Sequence, residues 1–219
     1  MHSFVILGLG RFGQSVAKTL YDLGCEVLVI DENEELIQSI YNHVTHAIIG
    51  NVTDKNVLKS AGIKNFDAAV VSTGKNLETS IIVTQILKEM GMGYILAKTQ
   101  NDLHARVLTK LGADRVVFPE HDMGVRIAHN LVSTNIIDYI ELSPDYSIVE
   151  INLPANWEGK TLYELDIRAK YGINIIAIKN GLHINVAPTA DYVTNSNDLL
   201  VVIGLNSAID KLNSRHSKI

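Results

Sequence analysis

The chain of 219 residues has a single cysteine, Cys25, no excess of positive charge and no long apolar run. One thiol excludes an internal disulfide framework and leaves no CxxC pair for redox or zinc chemistry. Lys and Arg number 19 against 24 Asp and Glu, a formal net charge of -5. No basic stripe is present, so nucleic acid, whose phosphates require clustered cations, is not an expected partner. The longest apolar stretches, residues 4–9 and 199–205, are strand-sized, whereas a membrane-spanning helix takes about 20 apolar residues. No basic segment precedes the first apolar run, so a signal peptide is not expected. The chain reads as cytoplasmic, with Cys25 as a small packed residue. Hydrophobic residues make up 47% and charged ones 20%, an ordinary soluble composition, and the length suffices for one large domain or a large and a small one.

What is present is a regular alternation. Strand-like runs at residues 4–7, 26–30, 46–49, 68–72, 94–98 and 115–118 are separated by helical stretches at 12–23, 34–42, 76–90 and 102–111, with Gly24, Gly62, Gly91 and Gly112 as helix stops. Strict alternation implies βαβ crossovers and therefore an α/β fold, a Rossmann-like doubly wound parallel sheet. After Pro119 the pattern changes: a helix at 123–131, extended segments at 139–142 and 147–153, a helical segment at 162–170, strands at 173–178 and 183–186 around a turn at 179–181, and a last strand at 199–203. This predicts a small α+β domain over 135–219, following a nucleotide-binding domain with a crossover helix over 1–134.

The spacing Gly8-x-Gly10-x-x-Gly13 follows a strand and opens a helix, the context that gives this motif its meaning. Gly8 permits a tight turn, Gly10 lets a phosphate approach the backbone and Gly13 lets the helix pack closely on the sheet. Helix N-terminal amides then receive the phosphates. Asp31, ending the second strand, is placed to accept hydrogen bonds from ribose hydroxyls and to repel a 2′-phosphate. The loops holding Asn51-Val52 and Thr73-Gly74 would open onto the same crevice, with Asn51 directed to adenine and Thr73-Gly74 walling the pocket.

Chemistry is harder to find. Tyr94 and Lys98 have the YxxxK spacing of short-chain dehydrogenases, but that pair cooperates across one helical turn, and in a strand four residues span about 13 Å. Lys98 at the strand's carboxyl end can still reach a nucleotide or a carboxylate. The eight histidines form no HExxH spacing and no GxSxG elbow is present. Pro119-Glu120-His121-Asp122 reads, by spacing alone, as an acidic helix start that complements the helix dipole.

Together "GLGRFG", the strand ending in Asp31, "FPEHDMG" from Phe118 and "IRAKYG" from Ile167 resemble the RCK (TrkA-type) family of potassium-conductance regulators, in particular its Ktr-type cytosolic subunits, over essentially the whole chain. The glycines are shared with many families; Arg11-Phe12 and Glu120 in their settings are more specific. The resemblance implies an RCK N-terminal domain followed by an RCK C-terminal (TrkA_C) domain. It further implies a non-enzymatic subunit forming an octameric ring beneath a membrane-embedded Ktr potassium-translocating subunit, with ATP favouring the conducting state and ADP the closed one. Arg11 would contact the terminal phosphate of ATP, and Glu120 would help hold a divalent cation, magnesium or calcium, near the nucleotide. In the C-terminal domain the resemblance implies cyclic di-AMP held between two subunits, with Arg168 on the phosphates, Ile167, Ile175 and Pro188 against adenine, and Asn174 and His183 as hydrogen-bonding groups. An NAD(H)-binding oxidoreductase or NADH-responsive regulator is the alternative, since the fold is shared.

Overall fold

Short, almost wholly apolar strands alternate with helices through the first half of the chain, and they lie side by side in one parallel sheet. The structure, a computed structural model, describes residues 2–73, 77–132 and 136–216. Two compact units result, Met1–Glu120 and His121–Ile219. The sequence placed the division after the crossover helix, at 134/135. Most of that helix instead belongs to the second unit, where its Arg126 forms a bidentate pair with Asp138, at 2.8 Å from Nε and 2.6 Å from Nη2.

In the first unit the order along the chain is β1 (Ser3–Leu7), α1 (Arg11–Asp22), β2 (Glu26–Asp31), α2 (Glu34–Ile40), β3 (His46–Ile49), α3 (Lys55–Ser60), β4 (Ala68–Val71), α4 (Leu77–Glu89), β5 (Ile95–Lys98), α5 (Asp102–Lys110) and β6 (Arg115–Val117). The six strands lie in the order β3-β2-β1-β4-β5-β6, all parallel. Strands covered on both faces read as continuous apolar runs, and alternate residues divide between two cores. Val5, Leu7, Leu28, Ile30 and Val71 pack with Val83 and Leu87 of α4. Ile6, Val27 and Val29 pack on the other face with Ala17 of α1 and with Ile37 and Ile40 of α2. Each fully buried aliphatic side chain stabilises by about 1.5–3 kcal/mol. Asn33, Asp54 and Asn101 cap α2, α3 and α5 by accepting from backbone N–H groups.

The second unit holds α6 (Pro119–Val132, which starts at the end of the first unit), β7 (Ile136–Ser143), β8 (Tyr146–Asn152), α7 (Leu162–Leu165), α8 (Ile167–Tyr171), β9 (Ile173–Asn180), β10 (His183–Val186), β11 (Leu199–Leu205) and α9 (Asn206–His216). Its antiparallel sheet runs β10-β9-β11-β8-β7, over a core of Val149, Ile151, Trp157, Leu165, Ile173, Leu200 and Val202. The helical segment expected at 162–170 is two short helices, because Asp166 takes a left-handed φ of 44° between them. Gly62 was read as a helix stop, but no range was assigned to α3, whose six residues are too few to display a period; α9, largely polar, was not expected. No helix among the described residues is long and apolar enough to cross a membrane.

Candidate functional site

The strand order reverses between β1 and β4, so the loops following β1, β2, β4 and β5 converge at the carboxyl edge of the sheet. Gly8 leaves β1 with a φ of +98°, a conformation that side chains resist. Its carbonyl accepts from the buried Ser72 hydroxyl just after β4. Gly10 ends the loop in an extended conformation and caps α1 without any side-chain hydrogen bond. A Cβ on Gly10 would meet no protein atom closer than 4.0 Å, so the backbone there is open to a large anion. No acidic residue stands in the first turn of α1, whose positive dipole end favours an anion.

Arg11, the first residue of α1, is exposed and has no ion pair or hydrogen bond among the described residues. Thr73 faces the same loop, its Cγ2 lying 3.0 Å from where a Cβ on Gly8 would be. Its Oγ1 is buried with no hydrogen-bond partner. An open backbone approach, a buried unpartnered hydroxyl and an unpaired guanidinium fit a phosphate chain. Gly74, expected beside Thr73, lies outside the described residues.

Asp31 has two backbone partners: Oδ2 accepts from Leu9 N at 2.6 Å and Oδ1 from Asn33 N at 2.8 Å. It therefore ties the glycine loop to the start of α2, and each oxygen keeps acceptor capacity for a ribose hydroxyl. Asn51 builds a turn, its Oδ1 accepting from Thr53 N at 2.8 Å and Thr53 Oγ1 at 2.7 Å, while its amide nitrogen has no partner among the described residues. Val52 is buried beneath that turn.

Lys98 and Glu120 come together. Lys98 Nζ donates to Glu120 Oε1 and lies 5.9 Å from the centroid of the Phe12 ring. That hydrogen bond, more than any other influence, holds the Glu120 carboxyl below the usual range. Glu120 is thus more than the helix-start acid that spacing suggests. Gln14, which sequence reasoning passed over, clamps the loop by donating from Nε2 to the Leu9 carbonyl at 2.9 Å. Tyr94 and Lys98 bracket a strand, so the YxxxK spacing makes no helical pair.

In the second unit Arg168, Asn174 and His183 are exposed, and Ile175 and Pro188 are half-buried. Ile167 is 6% exposed and belongs to the domain core. Ile167 directly follows the left-handed turn at Asp166. An open depression of about 440 Å³ is lined by His121 and Asp122 of the FPEHDMG stretch with Arg126, Tyr139 and Leu142 among others, and by none of the residues expected to contact a nucleotide.

The TrkA-N domain family matches residues 4–119 and the TrkA-C domain family residues 147–216. The chain is 48% identical over 217 residues to Ktr system potassium uptake protein C of Bacillus subtilis (strain 168), covering 98% of each. It is 43% identical over 201 residues to Ktr system potassium uptake protein A of the same organism, covering 92% of this chain and 90% of the relative. Among solved structures, the GsuK RCK domain matches with a TM-score of 0.70 at 19% identity, over 99% of this chain and 48% of that one. The GsuK channel bound to NAD matches with a TM-score of 0.66 at 19% identity, over 94% of this chain and 38% of that one. The chain thus spans less than half of these GsuK chains, and at such identity the likeness concerns the fold.

Proposed function

This chain belongs to the TrkA-type potassium uptake proteins, with a TrkA-N domain followed by a TrkA-C domain, and from that premise we propose that it is the regulatory subunit of a Ktr-type potassium transporter, sensing ATP against ADP. The observation that carries the reading is Arg11: an unpaired guanidinium at the first position of α1, beside the open backbone of Gly10 and the unpartnered Thr73 hydroxyl. A bound adenine nucleotide supplies a phosphate chain whose length distinguishes the two ligands. The α1 amides hold the inner phosphates, Asp31 orients the ribose, Asn51 reaches the base, and Arg11 adds charge-assisted bonds worth about 1.5–3 kcal/mol each, enough to favour the triphosphate. Glu120 beside those phosphates calls for a divalent cation between like charges.

Nothing in this scheme requires hydrolysis. A ligand shifts a conformational equilibrium by its differential affinity for the two states, and a homo-oligomeric ring, octameric in this reading, passes that shift to a membrane-embedded potassium-translocating partner from the cytoplasmic side. Cyclic di-AMP at the C-terminal domain, near Ile167, Arg168, Asn174, Ile175, His183 and Pro188, would act as an inhibitor. The test is calorimetric titration of the full chain with ATP, ADP and NADH. Binding of both adenine nucleotides, with ATP preferred in the presence of calcium or magnesium, supports the reading. NADH binding far tighter than either would replace it with an NADH-responsive regulator.

A further inference from the structure

In the glycine loop, the N–H of Gly8 donates to the Ile30 carbonyl at 2.9 Å and that of Leu9 to Asp31 Oδ2 at 2.6 Å. The N–H of Gly10 has no partner among the described residues. The loop's carbonyls are all held. Ser72 donates to that of Gly8, and Gln14 takes the next two, its side-chain Nε2 donating to Leu9 O at 2.9 Å and its backbone N–H to Gly10 O at 3.0 Å. We infer that Gln14 is a positioning residue for phosphate, which holds the Leu9 carbonyl and thereby keeps the Leu9–Gly10 peptide turned with its N–H to the ligand. The inference rests on the reading of this loop as the phosphate site.

Planarity makes the two ends of a peptide inseparable. In a trans unit the C=O and N–H point in opposite directions, so a carbonyl turned to Gln14 leaves the Gly10 amide facing away from Gln14. The backbone there is open, since a Cβ on Gly10 would meet no protein atom closer than 4.0 Å. The Gly8–Leu9 peptide is fixed at both ends, by Ser72 and Asp31, whereas the Leu9–Gly10 peptide is bound at its carbonyl only. Without Gln14 it is free to flip, because the flip carries the φ of Gly10 from -60° to positive values that glycine tolerates. A flipped peptide points its carbonyl at the phosphates and replaces an attractive dipole with a repulsive one. The glycine that permits close approach thus brings a freedom that Gln14 removes, without Gln14 itself touching the ligand. The Gly10 amide serves phosphates common to ATP, ADP and AMP, so losing the clamp weakens all three alike, whereas losing Arg11 affects the terminal phosphate.

The experiment measures ATP, ADP and AMP binding to the full chain by calorimetry, and adenosine by its displacement of a fluorescent ATP analogue, for the unsubstituted protein, Gln14→Met and Gln14→Asn. Methionine keeps the length of the side chain and lacks the donor; asparagine keeps the amide but is a methylene too short to reach Leu9 O. Both variants should weaken ATP, ADP and AMP by a common factor of about threefold to tenfold, the range for one lost neutral hydrogen bond, and leave adenosine within about twofold. Gln14→Asn decides the matter if Gln14→Met does not fold. An unsubstituted chain that binds none of the nucleotides overturns the reading of the loop, and this inference with it. Nucleotide affinities unchanged in the variants, a loss confined to ATP, or adenosine weakened as much as ATP overturns this inference alone.

Discussion

A Cβ on Gly13 would stand 2.2 Å from the carbonyl oxygen of Gly8, so the first turn of α1 rests directly on the loop it leaves. Ser72 closes the contact, since its hydroxyl donates to that carbonyl and would itself lie 2.4 Å from the added atom. Gly13→Ala is therefore expected to destabilise the first unit by about 1–3 kcal/mol through overpacking and to remove nucleotide binding. Gly10→Ala meets nothing nearby and should cost no more than about 1 kcal/mol, the loss of a favoured cap residue, while still blocking phosphate. Urea unfolding alongside ATP titration separates the two. Undiminished ATP binding by Gly10→Ala would mean that the open approach at Gly10 has no relation to a ligand.

Arg11 contributes to no interaction that folding needs among the described residues, so Arg11→Ala should leave the unfolding free energy within about 0.5 kcal/mol of the parent. Its effect is expected on ligands alone. ATP should weaken about tenfold or more and ADP by distinctly less, because one charge-assisted contact is lost from the terminal phosphate. Calorimetry on the full chain measures both, and an equal loss for the two nucleotides would contradict phosphate counting.

The parallel sheet was legible because a strand covered on both faces has no polar positions to interrupt it: Val27, Leu28, Val29 and Ile30 are all buried and form one continuous apolar run. The Gly8–Gly13 spacing and Asp31 were legible for a related reason, since each is a local backbone demand. The remainder depends on partners distant in sequence. Ser72 lies 64 residues from Gly8, and Lys98 lies 22 from Glu120, separations that no periodicity encodes. The burial of Ile167 at a two-helix junction likewise goes with the φ of Asp166, which an aspartate does not announce.

His104 on α5 is 2% exposed, with Nε2 2.8 Å from Ser80 Oγ on α4. Ser80 gives its proton to the Leu77 carbonyl at 2.8 Å, so His104 donates from Nε2, and its Nδ1 is buried without a partner. Burial pushes the imidazole pKa down. The folded state therefore binds fewer protons than the unfolded chain, whose histidine titrates near 6.5, and stability must rise with pH. The contribution is complete above about pH 6.5 and declines as pH falls below it, by at most about 1.4 kcal/mol per pH unit for this one group. His104→Gln retains a donor for Ser80 and cannot titrate, so its urea midpoint should change less between pH 7.5 and 5.5. Identical pH profiles for the two proteins would assign the dependence elsewhere.

In the C-terminal domain the left-handed Asp166 separates two helices and turns neighbouring side chains in opposite directions, Ile167 into the core and Arg168 to the surface. Asn174 is exposed at the start of β9 and His183 at the start of β10, while Pro188 follows Ala187, which is held at a φ of 60°. These residues suit a symmetric dinucleotide bound across a two-fold axis, because each side chain is then presented twice, once to each half of the ligand. Paired Arg168 guanidinium groups would meet the two phosphates, with Ile167, Ile175 and Pro188 against adenine. Cyclic di-AMP is accordingly expected to bind the full chain at one molecule per two chains. Arg168→Ala should weaken it about tenfold to a hundredfold, the range for a lost charge-assisted contact, with ATP binding at the first unit unaltered. Ile167→Ala should act differently: as a core truncation it destabilises the domain by about 2–5 kcal/mol, so its effect on the ligand should follow its effect on folding. Calorimetry with cyclic di-AMP on the parent and both variants tests this, and an affinity indifferent to Arg168 would dismiss the site.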